Sequence, residues 1–224
     1  MVRALAYPGE LLRGRAWWVE GGETRVRIGQ LCAMLILFGL AYGAVMGAFG
    51  GFTGDRIWQV WYSALKVPLL LLCTFALSIP SFFVINSLYG LRDDFTRVMR
   101  ALIATQAGLT VILASLAPLT VLWYLSFPHY NLAILFNGLM FGGASLGAQV
   151  LLQRFYRPLI ARNHRHRMLL RAWLMIYAFV GIQMGWVLRP FVGTPDAPVQ
   201  FFREGAWGNG YVELFGIIAR VLTG

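Results

Sequence analysis

Five apolar stretches, at 28–49, 64–87, 101–124, 131–153 and 168–192, alternate with short segments that hold most of the charge. Each stretch is about 20 residues or longer. As a helix with a rise of about 1.5 Å per residue, that is enough to cross a hydrocarbon core of roughly 30 Å. A half-buried strand would alternate every second residue, whereas these runs are apolar on every side. The pattern predicts an all-α, polytopic membrane helical bundle with five transmembrane helices over residues 28–192. Residues 1–27 interleave Leu11, Leu12, Trp17, Trp18 and Val19 with Arg3, Arg13, Arg15, Arg25 and Arg27. That mixture suits a segment lying at headgroup level. Residues 193–224 follow the last span, with a loop rich in Pro and Gly up to 210. The apolar run from Tyr211 is too short to cross, and it reads as an amphipathic helix with Glu213 and Arg220 on one face. The first run starts near Ile28, later than the apolar core of a signal peptide would, so an uncleaved first span is expected.

Small and polar residues inside the spans refine this picture. Gly39, Gly43 and Gly47 repeat every four residues in the first span and form a smooth stripe. Gly138 with Gly142 and Gly143 with Gly147 do the same in the fourth, and Gly181 with Gly185 in the fifth. Such stripes let helix backbones approach closely in a membrane, so these nine glycines are the expected helix-packing residues. Pro68 and Pro80 in the second span and Pro118 in the third each remove a backbone donor and predict kinks. Gln106, Asn137, Gln149 and Gln183 are expected to form hydrogen bonds between helices. Lys66 is expected to snorkel outward. Arg189 is expected to reach headgroups or to pair with Glu204 or Asp196.

Charge then sets a direction. Arg154, Arg157, Arg162, Arg165, Arg167 and Arg171 crowd the stretch between spans four and five, with His164 and His166 among them and no acidic residue. Basic segments between spans stay on the cytoplasmic side, and there these six arginines are expected to contact anionic lipid headgroups. The N-terminal segment and the turn after span two are basic as well. Five spans then put the N-terminus in the cytoplasm and the C-terminus outside it, in the inner (cytoplasmic) membrane. Only 12% of the residues are charged, against about 25% in soluble domains, and 58% are hydrophobic. The net charge of +10 therefore points to a membrane surface, and no nucleic-acid partner is expected.

The chemistry that would support catalysis is missing from the pattern. No Asp, Glu or His lies deep in any span, so a proton relay lacks its usual members. Asp93 and Asp94 sit in an arginine-rich turn, where capping and ion pairing are expected. His164 and His166 read as headgroup contacts, and Cys32 and Cys73 as small buried hydrophobes. No phosphate loop, dinucleotide fingerprint, nucleophile elbow or zinc-protease motif occurs. The sequence predicts no enzyme activity, no cofactor and no metal.

The run from Asn86 to Ala107, NSLYGLRDDFTRVMRALIATQA, resembles a pattern in the Yip family of Ypt/Rab-interacting membrane proteins and its prokaryotic relatives. In that family a span ends in polar residues and a glycine, here Asn86 and Gly90. A short charged stretch with an aromatic follows, here Arg92 to Asp94 with Phe95, and a helix then climbs back from Arg100. The five-span order and cytoplasmic N-terminus look alike over about 28–192. The Asp-Leu-Tyr-Gly-Pro motif that eukaryotic members carry before the first span is not found there, and Leu88-Tyr89-Gly90 instead follows span two. The resemblance implies an architecture and assigns no binding residue. The expected role is a non-catalytic scaffold or accessory subunit that joins other membrane subunits. The alternative is a permease-like protein for a small solute or lipid. A cysteine placed within 194–210 should react with an impermeant maleimide added outside intact cells, and one placed within 154–171 should react only after permeabilisation.

Overall fold

The computed structural model describes residues 8–9, 11–13, 28–52, 54–193, 198–203 and 205–212. The interfacial helices expected within 1–27 and beyond Val212 fall almost wholly outside these residues. Five helices make up the described body: α1 (Ile28–Gly47), α2 (Arg56–Leu88), α3 (Phe95–Ser126), α4 (Tyr130–Arg162) and α5 (Arg165–Val187). All five are long and apolar enough to cross a membrane, as the apolar stretches predict.

Three of the helices outrun the predicted spans, whereas α1 ends at Gly47 and α5 at Val187, so residues 188–192, expected within the fifth span, are irregular. α2 and α4 have 33 residues each and α3 has 32, or about 50 Å each, so their ends project well past a core of about 30 Å. The basic stretch 154–171, which lies between the fourth and fifth apolar runs, is therefore two helix ends around a tight turn at Asn163–His164. Its residues carry the helical period. Phe155, Tyr156 and Leu159 are buried, while Arg154, Arg157 and Arg162 are exposed on the other side. Asn163 Oδ1 accepts the Arg165 amide at 3.0 Å and starts α5. Pro68 and Pro80 lie within α2, Pro118 within α3 and Pro158 within α4, and each helix continues through them.

Across the bundle the order is α5, α2, α1, α3, α4, so the first helix sits in the middle. Glycine makes this possible. A Cβ at Gly43 would lie 2.8 Å from Ala64 Cα, one at Gly47 would lie 2.7 Å from Val60 Cα, and one at Gly39 would lie 3.3 Å from Pro68 Cβ. The predicted stripe on α1 is thus filled by α2. Of the other predicted glycines, Gly147 meets Ile112 and Gly181 meets Thr74, whereas Gly138, Gly142, Gly143 and Gly185 have no such neighbour within 4 Å. Gly108 of α3, absent from the predicted stripes, fits against Leu151 of α4.

Two apolar cores result. One, at the end bearing the arginine-rich turn, gathers Phe82, Val98, Leu102, Phe155, Leu169 and Trp173, with Leu11 of the N-terminal segment packed into it. The other, toward the far end, gathers Tyr42, Met46, Val67, Leu71, Leu113 and Val192. Gly43→Val should force α1 off α2 and lower the melting temperature in detergent, because overpacking costs about 1–3 kcal/mol. Gly142→Val, which points into open space, should leave the melting temperature of the isolated chain unchanged.

Candidate functional site

At the far end the chain leaves α5 and runs as irregular backbone through Leu188–Gly193, laid across the bundle as a strap between α2 and α4. Irregular backbone is tolerated at membrane depth only where its polar groups find partners. Here three successive carbonyls do. Lys66 Nζ donates to Pro190 O at 2.7 Å, Ser63 Oγ to Phe191 O at 2.5 Å, and Tyr130 Oη to Val192 O at 3.3 Å. Gln59 Nε2 in turn donates to Ser63 Oγ at 2.9 Å. Gln59, Ser63 and Lys66 stand at i, i+4 and i+7, so they form one polar stripe on α2. The strap lies so close to this stripe that a Cβ on Gly193 would come within 2.7 Å of Gln59 Cγ.

Lys66 corrects an expectation. It does not snorkel outward; its side chain is fully buried, bonded to the strap and set 4.9 Å from the ring centroid of Phe201. Its position on the α2 face toward the strap decides this, since the stem of a lysine follows whichever surface its helix presents. Among the described residues Lys66 has no carboxylate partner. The ammonium also feels the charge of Arg203. Arg189 lies with its guanidinium carbon 3.1 Å from the ring centroid of Trp186, a cation–π stack. Its expected partners Asp196 and Glu204 lie outside the described residues.

Between the strap and the helices lies a cavity of about 490 Å³. Met46 of α1, Leu70 of α2 and the α4 residues Tyr130, Ile134, Asn137, Gly138 and Phe141 line it, with residues 189–192 and Arg203. Asn137 anchors one wall as an interhelical group, as predicted. Its Oδ1 accepts from Tyr42 Oη at 3.3 Å, and its Nδ2 donates to Tyr124 Oη at 2.6 Å and to Ala133 O at 2.7 Å. Tyr124 Oη reaches Met46 O at 3.4 Å. The set joins α1, α3 and α4 at one depth.

The other intramembrane amides divide. Gln106 Oε1 accepts from Tyr177 Oη at 2.9 Å, linking α3 to α5. Gln183 instead holds the C-terminal segment, donating to Gly208 O and accepting the Gly210 amide, both at 3.0 Å. Gln149 Oε1 is buried and has no hydrogen-bond partner among the described residues.

At the arginine end, Arg154, Arg157, Arg162, Arg165, Arg167 and Arg171 are all exposed. Arg165 also donates to Tyr89 O at 3.2 Å, tying the two turns at this end together. His164 is exposed, but His166 is not the headgroup contact expected of it. It is fully buried, with Nε2 3.2 Å from Asp94 Oδ2. As the second residue of α5 it points back into the bundle, beside Tyr156. Asp94 also accepts from Arg97 at 2.7 Å, so its carboxylate is used in ion pairing, with no side-chain cap. Among the described residues no three His, Cys, Asp or Glu side chains gather where a metal could sit.

No protein-family model, curated protein or solved structure matches the chain. The far-end site is therefore read from its own geometry, as a pinned strap beside an apolar cavity with cations on one side. Ser63→Ala with Tyr130→Phe removes two donors to the strap, each contributing about 1 kcal/mol. A cysteine replacing buried Val192 should then react with maleimide at least tenfold faster than in the otherwise unaltered chain, because labelling requires the strap to open.

Proposed function

We propose that the chain is a non-catalytic multi-pass protein of the cytoplasmic membrane that acts as an accessory subunit or scaffold, docking a transmembrane helix of another subunit on α4. The observation that carries this reading is the contrast between two glycine stripes. On α1 the stripe is filled by α2. On α4, Gly138, Gly142 and Gly143 face open space on an exposed surface shared with Leu135, Leu139 and Leu146. A glycine in a helix interior costs about 1 kcal/mol relative to alanine, and three on one exposed face gain nothing from lipid. A partner helix would recover that loss, since small residues let backbones meet and association in hydrocarbon depends on such packing. On this reading the arginine end faces the cytoplasm, and its six exposed guanidiniums lie on anionic headgroups.

A second reading, passage of a small solute or lipid, has the far-end cavity in its favour. The two readings part in a crosslinking experiment. A photo-reactive side chain at position 142 should give one discrete adduct with a different membrane protein in intact cells, and Gly143→Leu should abolish it. An adduct of twice the chain's own mass, or lipid adducts alone, would exclude the accessory-subunit reading.

A further inference from the structure

We infer that the far-end cavity holds the hydrocarbon chain of a bilayer lipid, whatever headgroup that lipid carries. The inference concerns binding alone and goes beyond the accessory-subunit reading, because it needs neither a partner helix nor transport. Three observations carry it.

The first is the chemistry of the wall. The cavity measures about 490 Å³, within the range of roughly 300–1,000 Å³ typical of small-molecule sites. Met46, Leu70, Ile134 and Phe141 supply apolar surface. The neutral polar groups facing it are spent on the protein itself. Asn137 Nδ2 donates to Tyr124 Oη and Ala133 O, its Oδ1 accepts from Tyr42 Oη, and Tyr130 Oη donates to Val192 O. The strap carbonyls of Pro190 and Phe191 accept from Lys66 and Ser63. A sugar or amino acid would leave water for a surface whose hydrogen-bonding groups are taken, which costs free energy. A hydrocarbon chain makes no such demand and gains dispersion contacts with each wall.

The second is the opening. Ile134 and Gly138 belong both to the lining and to the exposed face of α4, so the cavity opens sideways, on the side of the helix that lipid covers. A Cβ on Gly138 would meet nothing within 4 Å, which leaves a gap at that point. From Ile134 to Phe141 the wall follows α4 for about 10 Å along the helix axis. That shape suits side entry of a flexible chain whose remainder stays in the bilayer.

The third is that the charged groups beside the cavity are engaged by the protein. Arg189 and Arg203 also line it, and both interact with other groups of the chain, Arg189 among them with the face of Trp186. Lys66 is bonded to Pro190 O. Recognition therefore falls on the chain of the lipid, and the headgroup stays outside the cavity.

The test uses the full chain in nanodiscs of phosphatidylcholine or of phosphatidylglycerol, each doped with the same lipid carrying a diazirine in one acyl chain, followed by residue-level mapping of the adducts. Asn137 and Val192 line the cavity and are only 3% and 4% exposed, whereas Leu139 is 61% exposed on the outer face of α4. Lipid around the bundle reaches Leu139, and a chain inside the cavity reaches Asn137 and Val192. Adducts should therefore appear at all three positions. The yield at Asn137 and Val192 relative to Leu139 should agree within about twofold between the two lipids. Leu70→Trp, which fills the cavity from α2, should lower the yield at Asn137 and Val192 by about fivefold or more and leave Leu139 unchanged. Ile134→Trp, at an exposed position on the opening, should do the same, and it serves as the test if Leu70→Trp does not fold. Melting temperatures within a few degrees of the unaltered chain certify that the variants fold. Labelling of Leu139 alone, a preference of about tenfold for one headgroup, or adducts at Asn137 and Val192 that survive substitution in a folded variant would each overturn the proposal.

Discussion

The contact between the backbones of α1 and α2 at Gly43 and Gly47 determines most of what else the bundle does. Lipid tails are as apolar as leucine, so helices in hydrocarbon gain little from hiding side chains and much from fitting closely. With Ala64 and Val60 seated against glycine, no side chain of α1 separates the two backbones at Gly43 and Gly47. This contact, with α3 on its other side, puts α1 at the centre and keeps α2 and α3, consecutive in the chain, largely apart. α4 and α5 are left at the two margins, where they meet only weakly.

The far-end site follows from that layout. Margins that do not close leave a gap between α2 and α4, and the chain beyond α5 crosses it as irregular backbone. In water its carbonyls would need no special provision. Packed against the bundle each one does, and Lys66, Ser63 and Tyr130 supply a donor to each of three in turn. The same residues fix the strap as a cavity wall, so the backbone requirement and the shape of the chamber are one fact. Lys66 combines two demands: its charge is costly in this setting, yet an ammonium makes a stronger bond to a carbonyl than a neutral donor could.

Much of the fold was legible from runs of apolar residues, because leaving water is what such runs record. They do not record whether the new surroundings are lipid or protein, and the differences arise there. Gly43 and Gly142 have the same four-residue spacing, yet one is packed against Ala64 and the other faces outward. Helix ends were misjudged for a related reason. Arg154 to Arg162 looked like a loop by charge, although Phe155, Tyr156 and Leu159 keep the helical period beneath the arginines. Lys66 and His166 were placed at the surface by residue type, and both are fully buried. A signal for the first was present in the spacing of Gln59, Ser63 and Lys66, three polar residues on one face of an otherwise apolar helix. For His166 the sequence offered none, since its partner Asp94 lies 72 positions away.

The two ends of the molecule carry positive charge in different ways, and the difference bears on function. At the arginine end the guanidiniums are numerous and exposed. On an anionic surface each would add about 1 kcal/mol of attraction, and no single one would be essential. At the far end the cations are few and individually held: Lys66 buried against Pro190, Arg189 stacked on Trp186, Arg203 beside the cavity. If the arginine end faces the cytoplasm, these cations stand on the side where basic residues are disfavoured during insertion. Snorkelling would not require a buried ammonium or a stacked guanidinium, and a random surface charge would not sit beside an apolar chamber. Lys66 and Arg189 are each set by a particular neighbour, so the far end depends on position where the arginine end depends on number.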